Sequence, residues 1–176
     1  MLPCAPFVLL RHLLSIAILP FTVAVVVPVW LARRNGVEVS LGATPTQLLV
    51  QLLGLIALAV GLALFMASLR QFAVRGKGTL APWDPPKHLV VEGPYRYVRN
   101  PMISGVLFLI AGEALILRSS THLLWSSIFL IINAIYIPLV EEPQLERRFG
   151  KSYVEYRRHV GRLFPRLRPW KGEGSR

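Results

Sequence analysis

The stretch Gly93-Pro94-Tyr95-Arg96-Tyr97-Val98-Arg99-Asn100-Pro101-Met102-Ile103-Ser104-Gly105 lies between a loop rich in helix breakers and a long apolar tract, and its reading decides where the helices begin. Asn is a favoured helix N-cap and Pro a favoured first helical residue, so Asn100-Pro101 predicts a helix starting at Pro101. The unpaired N–H groups and positive dipole end of that helix face back toward Tyr95, Arg96, Tyr97 and Arg99, which suits a carboxylate or a phosphate. Composition alone gives equal weight to a second reading, a juxtamembrane turn with its arginines on lipid headgroups and its tyrosines in the interfacial belt.

Outward from this stretch, the apolar tract predicts a membrane span over about 101–117 and another over about 123–140. The link from Arg118 to His122 is so short that the two must form an antiparallel hairpin, with the start of the first and the end of the second at one membrane face. Gly105 and Gly112 allow close backbone approach, and Trp125 and Tyr136 are expected as interface anchors. Upstream, residues 46–69 carry no charge, and Gly54, Ala57 and Gly61 form a stripe of small residues where another helix can pack. A first span is expected over about 7–31, bent or loosened by Pro20 and Pro28. It is too long for a signal-peptide core and lacks a small-x-small cleavage site before Arg33-Arg34. With 53% hydrophobic residues and a mean hydropathy of +0.51 over 176 residues, the fold class is all-α, a single polytopic membrane domain over 1–176 with about four transmembrane helices. The connection 70–100 holds Gly76, Gly78, Pro82, Pro85, Pro86 and Pro94, and its Trp and Tyr residues predict an ordered lid.

The formal charge is +11, and sixteen of the twenty Lys and Arg fall in 70–100 or after Val140. They flank apolar segments rather than forming a face of their own, which argues for membrane lipids and against nucleic acid as the partner. By the positive-inside rule this crowded side is cytoplasmic, with both termini inside. A single cysteine, Cys4, excludes an internal disulfide, and the four histidines have no metal-ligand spacing. Glu113 lies within the third span, and its nearness to Arg118 predicts snorkelling or helix packing.

At the end of the fourth span stand Glu141-Glu142, costly at a membrane boundary unless solvated or paired. The hairpin brings them to the face where Arg96 and Arg99 begin the third span, so Arg–Glu pairing is expected, either structural or shared with a ligand. Beyond them Leu145, Phe149, Tyr153, Tyr156 and Val160 recur at helical spacing with charges between, predicting an amphipathic helix with a break at Gly150. Such a helix either lies on anionic lipid or caps the loop at 93–100.

Together, Gly93-Pro94-Tyr95-Arg96-Tyr97-Val98-Arg99-Asn100-Pro101 with Gly105, then Glu141-Glu142 with Leu145, Phe149-Gly150, Tyr153, Tyr156, Val160, Arg162 and Pro165, resemble the signature of the isoprenylcysteine carboxyl methyltransferase and phospholipid methyltransferase-like membrane enzymes. The resemblance covers about residues 75–169. It implies an integral membrane methyltransferase that binds S-adenosyl-L-methionine at the cytoplasmic face, in a pocket closed by the C-terminal segment, and acts on a lipophilic small-molecule acceptor, a carboxylate or an amine. It implies cofactor-binding roles for Tyr95, Arg99, Asn100, Pro101, Gly105, Glu142, Tyr153, Tyr156 and Arg162. Arg99 and Glu141 are implied as the catalytic pair, orienting the acceptor and balancing the sulfonium charge, and no metal is implied. The tail aromatics are expected to shield the adenine.

The chain departs from many members in having Asn100 where they have His and Ile103 where they have Tyr, which leaves the acceptor pocket open. Two other readings are an NADPH-dependent membrane reductase, since sterol reductases are similar in this C-terminal region, and a non-enzymatic basic membrane scaffold.

Overall fold

A computed structural model describes residues 17–71, 89, 91–163 and 166–171. The expected beginning of the first span, residues 7–16, and most of the connection read as a lid, residues 72–88, lie outside the described residues. The described chain is helical. A π-helical α1 (Ala17–Val26) runs into α2 (Val27–Arg34), followed by α3 (Pro45–Gln71), a 3-10 turn (Gly93–Arg96), α4 (Pro101–Leu117) and α5 (Ser120–Tyr136). A π-helical turn (Ile137–Glu141) then leads into α6 (Glu142–Phe149), and α7 (Lys151–His159) ends the helical part. Among the described residues there is no β-sheet, only a single parallel bridge between Val98 and Gly161.

Local chemistry sets the helix boundaries. Thr44 and Gln47 form a reciprocal cap, the Gln47 N–H donating to the Thr44 hydroxyl and the Thr44 N–H to the Gln47 side-chain oxygen, both at 3.3 Å. With Pro45 in the first turn, α3 starts one residue before the predicted span. α4 starts at Pro101 as expected, but the Asn100 side chain makes no capping bond; its carbonyl instead accepts from the Ser104 N–H and hydroxyl, each at 3.0 Å. Arg118, with φ 50°, closes α4 in the left-handed conformation, and Ser119 caps α5. The predicted hairpin results.

The first helix shows what its prolines do. A proline has no N–H to offer, so the carbonyl it would have served needs another donor. In α1 the Val23 carbonyl, five residues before Pro28, accepts the Trp125 indole N–H at 3.1 Å. The Pro28 carbonyl lies 3.0 Å from Nε2 of the fully buried His122, whose Nδ1 lies 2.9 Å from the Ser119 hydroxyl. A carbonyl only accepts, so Nε2 carries the proton. Trp125 is thus turned inward as a strut between α1 and α5, not outward as an interface anchor.

α3 and α4 pack antiparallel along two glycine pairs. A Cβ added to Gly54 would lie 2.9 Å from the Gly112 carbonyl oxygen, and one added to Gly61 would lie 2.7 Å from that of Gly105. Lipid tails are as apolar as leucine, so helix association in a bilayer rests on this kind of close packing rather than on a hydrophobic drive. Below the seam, Ala24, Phe65, Val106 and Ile110 form the main core. At the far end, the buried Gln51 side chain binds the Ser40 carbonyl at 2.7 Å and the Ile116 carbonyl at 3.1 Å, clamping the 40–42 loop onto α4. Arg118 turns to the Ser40 hydroxyl at 2.8 Å and not to Glu113, one of whose carboxyl oxygens is buried without a hydrogen-bond partner.

Among the described residues two helices are long and apolar enough to cross a membrane, Pro45–Gln71 and the continuous Ser120–Phe149. Only 17% and 11% of their most apolar windows are buried inside the protein, unlike core helices of soluble domains. Their outer faces carry residues such as Leu49, Leu53, Ile56, Leu124, Ile131 and Ile135, all exposed. α4, at 17 residues, is shorter.

Candidate functional site

The site forms where the start of α4 meets the start of α6. Pro138 widens the chain here, and the Glu142 N–H bonds to the Ile137 carbonyl five residues back, as in a π-helix. That turn places Glu142 on the same inward side as the fully buried Ile137. The Glu142 carboxylate then accepts from Arg162 at 2.6 Å through Nε and 3.0 Å through Nη2, a bidentate pair, and forms an ion pair with Arg99, whose Nη1 lies 3.0 Å from Oε1. The Arg99 and Glu142 side chains are 9% and 5% exposed, so the pair is held away from bulk water, where charge–charge attraction is strong and loss of a partner costly. The hydrogen bond to Glu142 holds the Arg162 guanidinium above its ordinary value. Two guanidinium groups share one carboxylate, leaving one positive charge over.

The expected Arg–Glu contact is therefore present, carried by Arg99 and Glu142. Arg96 points elsewhere, with its Nε donating to the Trp170 carbonyl at 2.8 Å. Glu141 closes the π-helical turn half-buried and enters no ion pair among the described residues. Tyr153 joins only at the rim, its hydroxyl 3.5 Å from Arg99 Nη1.

The loop carrying Arg99 is fixed from two sides. The Tyr156 hydroxyl donates to the Tyr95 carbonyl at 2.6 Å, and the Tyr95 hydroxyl bonds to Ser68 of α3, a fully buried residue. Burial, above all, pushes both tyrosine hydroxyls up, so they remain protonated donors. Tyr156 packs with Tyr153, Val160 and the partly buried Leu89, Val91, Leu145, Phe149 and Trp170 in a second apolar cluster. The apolar face of α6–α7 is thus used within the protein, which fits a cap over the loop and not a helix lying apolar side down on lipid. Gly150, with φ 55°, makes the expected break between them.

Of the residues read from the sequence, the structure brings together Tyr95, Arg99, Glu142, Tyr153, Tyr156 and Arg162, with Asn100 and Pro101 at the adjoining helix start. Gly105 is turned away from this group: a Cβ on it would lie 2.9 Å from the Gly61 carbonyl oxygen, so its place is taken by helix packing. Tyr156 and Trp170 spend their rings on each other, with centroids 5.5 Å apart, rather than presenting free faces for a base. Ser68 and Trp170 were not singled out from the sequence. Ser68 lies in an uncharged apolar span and Trp170 in the tail, and neither carries a local motif.

The donor set fits an anionic ligand group. Among the described residues Arg99 Nε is buried with no hydrogen-bond partner, although a buried guanidinium N–H is costly to leave unpaired. Beside it the Asn100 side chain leaves the first turn of α4 uncapped, so that turn retains N–H groups to offer. These donors suit the carboxylate of an amino-acid-bearing cofactor, and the Glu141 carboxylate, which pairs with no cation among the described residues, suits a cationic neighbour.

Comparison with known proteins agrees with this region. The phospholipid methyltransferase family model matches residues 49–152, more than half of the chain, from within α3 to the start of α7. Among curated proteins none matches the chain. The family points to a methyltransferase acting on lipid substrates, and with two helices able to cross a bilayer the protein is a membrane protein. In agreement with the resemblance carried by Gly93–Pro101 and by the motif that runs from Glu141-Glu142 to Pro165, the chain belongs to the phospholipid methyltransferase family.

Proposed function

We propose that the protein is an S-adenosyl-L-methionine-dependent methyltransferase acting on a membrane-partitioned small molecule with a carboxylate or amine acceptor. In this reading it is a single multi-pass domain of four spans, over about 7–31, 46–69, 101–117 and 123–140, with both termini and the site on the cytoplasmic side. The observation that carries the proposal is the buried Arg99–Glu142 pair at the uncapped N-terminus of α4, joined by the partly exposed Arg162, with its one surplus positive charge and the Arg99 Nε that has no partner among the described residues.

S-adenosyl-L-methionine supplies, when bound, an electrophilic methyl group on a sulfonium. Arg99 and the first turn of α4, with Asn100 and Pro101, bind its carboxylate. Glu142 holds Arg99 and Arg162 in orientation, and Glu141 complements positive charge on the cofactor or an incoming amine. Tyr95, Tyr153 and Tyr156 fix the loop and exclude water. Methyl transfer from a sulfonium needs little covalent assistance, since alignment and exclusion of water supply most of the rate. Gly105 supports the site only through the helix seam.

The test is calorimetric titration of the full-length protein in lipid nanodiscs with S-adenosylhomocysteine. Saturable binding is expected for the wild type and a loss of at least about tenfold in affinity, about 1.4 kcal/mol, for Arg99→Ala with helical circular dichroism retained. Absence of binding by the wild type in nanodiscs and in several detergents overturns the reading.

A further inference from the structure

Ser68 stands where the glycine seam of α3 runs out. Gly54 meets Gly112 and Gly61 meets Gly105, and Ser68 falls on the same face of α3 about two turns beyond Gly61. At that level α4 has not yet begun, and the neighbour of α3 is the loop that carries Arg99. Ser68 is fully buried, and its hydroxyl donates to the Leu64 carbonyl at 2.6 Å. With its proton spent there it can only accept from Tyr95, so the Tyr95 O–H is the donor of the bond between them. Gln71, about one turn further on, supports the same loop: a Cβ on Gly93, which has φ 57°, would lie 2.8 Å from Gln71 Nε2 and 3.2 Å from its Cγ.

The chain from Tyr95 to Arg99 has little slack. The Tyr97 and Val98 N–H groups both close on the Pro94 carbonyl, at 3.0 and 3.1 Å, and Val98 is buried. The Arg99 N–H donates to the Gly161 carbonyl at 2.9 Å, and α4 starts at Pro101. The place of Tyr95 therefore sets where the Arg99 guanidinium stands opposite Glu142. Tyr95 is gripped at both ends, its hydroxyl by Ser68 and its carbonyl by the Tyr156 hydroxyl at 2.6 Å. Both bonds of the Ser68 hydroxyl are made within the protein, so it reaches Arg99 only through Tyr95. A small side chain without a hydroxyl would serve the packing of α3 equally well, and what the hydroxyl adds is the hold on Tyr95.

We propose that Ser68 is a positioning residue, which through the Tyr95 hydroxyl holds the Arg99 guanidinium where it receives the carboxylate of the ligand. For the identity of that ligand this rests on the cofactor reading, whereas the hold on the loop is a property of the chain. Ser68→Ala strands the buried Tyr95 hydroxyl, which regains a partner only if the loop moves. Tyr95→Phe removes the donor and leaves Ser68 bonded to Leu64, so it reaches the same bond from the other side at lower cost.

Calorimetric titration of the full-length protein in nanodiscs tests this with two ligands, S-adenosylhomocysteine and its decarboxylated analogue, which lacks the group assigned to Arg99. Ser68→Ala is expected to weaken S-adenosylhomocysteine about tenfold and Tyr95→Phe about threefold, while the analogue loses at most about twofold. Because both variants remove one bond, the double variant should bind no more weakly than Ser68→Ala. Equal weakening of the two ligands, which is what a merely structural loosening gives, overturns the role, and so do effects that multiply in the double variant or no weakening at all. Amide hydrogen exchange without ligand is the second readout: both variants should speed exchange at Tyr97, Val98 and Arg99 by about tenfold, with α4 and α5 unchanged. Unchanged exchange at these amides, or acceleration spread equally through α4 and α5, also overturns it. If the wild type binds neither ligand, the cofactor reading alone fails, and the exchange pattern still decides whether Ser68 holds the loop.

Discussion

The flank and the N-terminus of α4 are held by opposite means. Along its flank Gly105 and Gly112 meet Gly61 and Gly54 backbone to backbone, with no side chain between them. At its N-terminus Arg99 reaches α6 only through charge, by way of Glu142. The glycine seam needs no partner group but has no room for an added atom. The ionic junction tolerates changes of shape, but not the loss of one charge while the other stays buried. The seam fixes the distance between α3 and α4, whereas the junction fixes which groups face a ligand.

Substitutions can break this contrast. The largest effect is expected at the junction: Glu142→Ala strands the buried Arg99 guanidinium and should destabilise the protein by about 3–5 kcal/mol, read as a lowered thermal unfolding midpoint in detergent. Glu142→Gln keeps the shape but removes the same charge and should cost nearly as much; a clearly smaller loss would show that packing and not charge holds α6. Next comes the seam, where Gly105→Ala places a methyl 2.9 Å from the Gly61 carbonyl oxygen and 3.0 Å from the Phe65 nitrogen. Backbone atoms cannot step aside as flexible side chains can, so α3 and α4 must separate, at about 1–3 kcal/mol by the same measurement. A neutral outcome would mean that the seam is looser than the junction. The smallest effect is expected for the ion pair between Arg157 and Glu146, formed at 2.9 Å with side chains 38% and 43% exposed. Arg157→Ala should change stability by no more than about 1 kcal/mol, and less as salt is raised.

Much of this architecture follows from local rules. Pro101 after Asn100 announces the start of α4, the short link after Leu117 forces the hairpin, and Gly54 and Gly61 mark the packing face of α3. Because the hairpin fixes which ends meet, the partnership of Arg99 with the Glu141-Glu142 pair was legible too. Which glutamate does the pairing was not, because an α-helical phase gives the wrong rotation through a π-helical turn. Contacts set by distant chain were equally hidden. Arg96 and Trp170 are 74 residues apart, and Trp125 and Val23 are 102 apart. No periodicity in either partner's neighbourhood signals such a contact. The Asn100 residue type was right for a cap, but its side chain makes no capping bond, and the Ser104 hydroxyl only adds to the ordinary helical bond that the Asn100 carbonyl accepts from the Ser104 N–H.

The π-helical turn at Ile137–Glu141 makes the direction of Glu142 a matter of counting residues. The turn holds one residue more than an α-helical ladder would. Were the turn to revert to α-helical spacing with its residue count unchanged, everything that follows would rotate by roughly 100° about the helix axis, the angle one extra residue adds. Such a reversion would keep every charged residue of the cluster and still carry the carboxylate away from Arg99. For chains of this kind, the placement of a single gap in an alignment across the last span therefore carries as much information about the site as the identity of the residues aligned there.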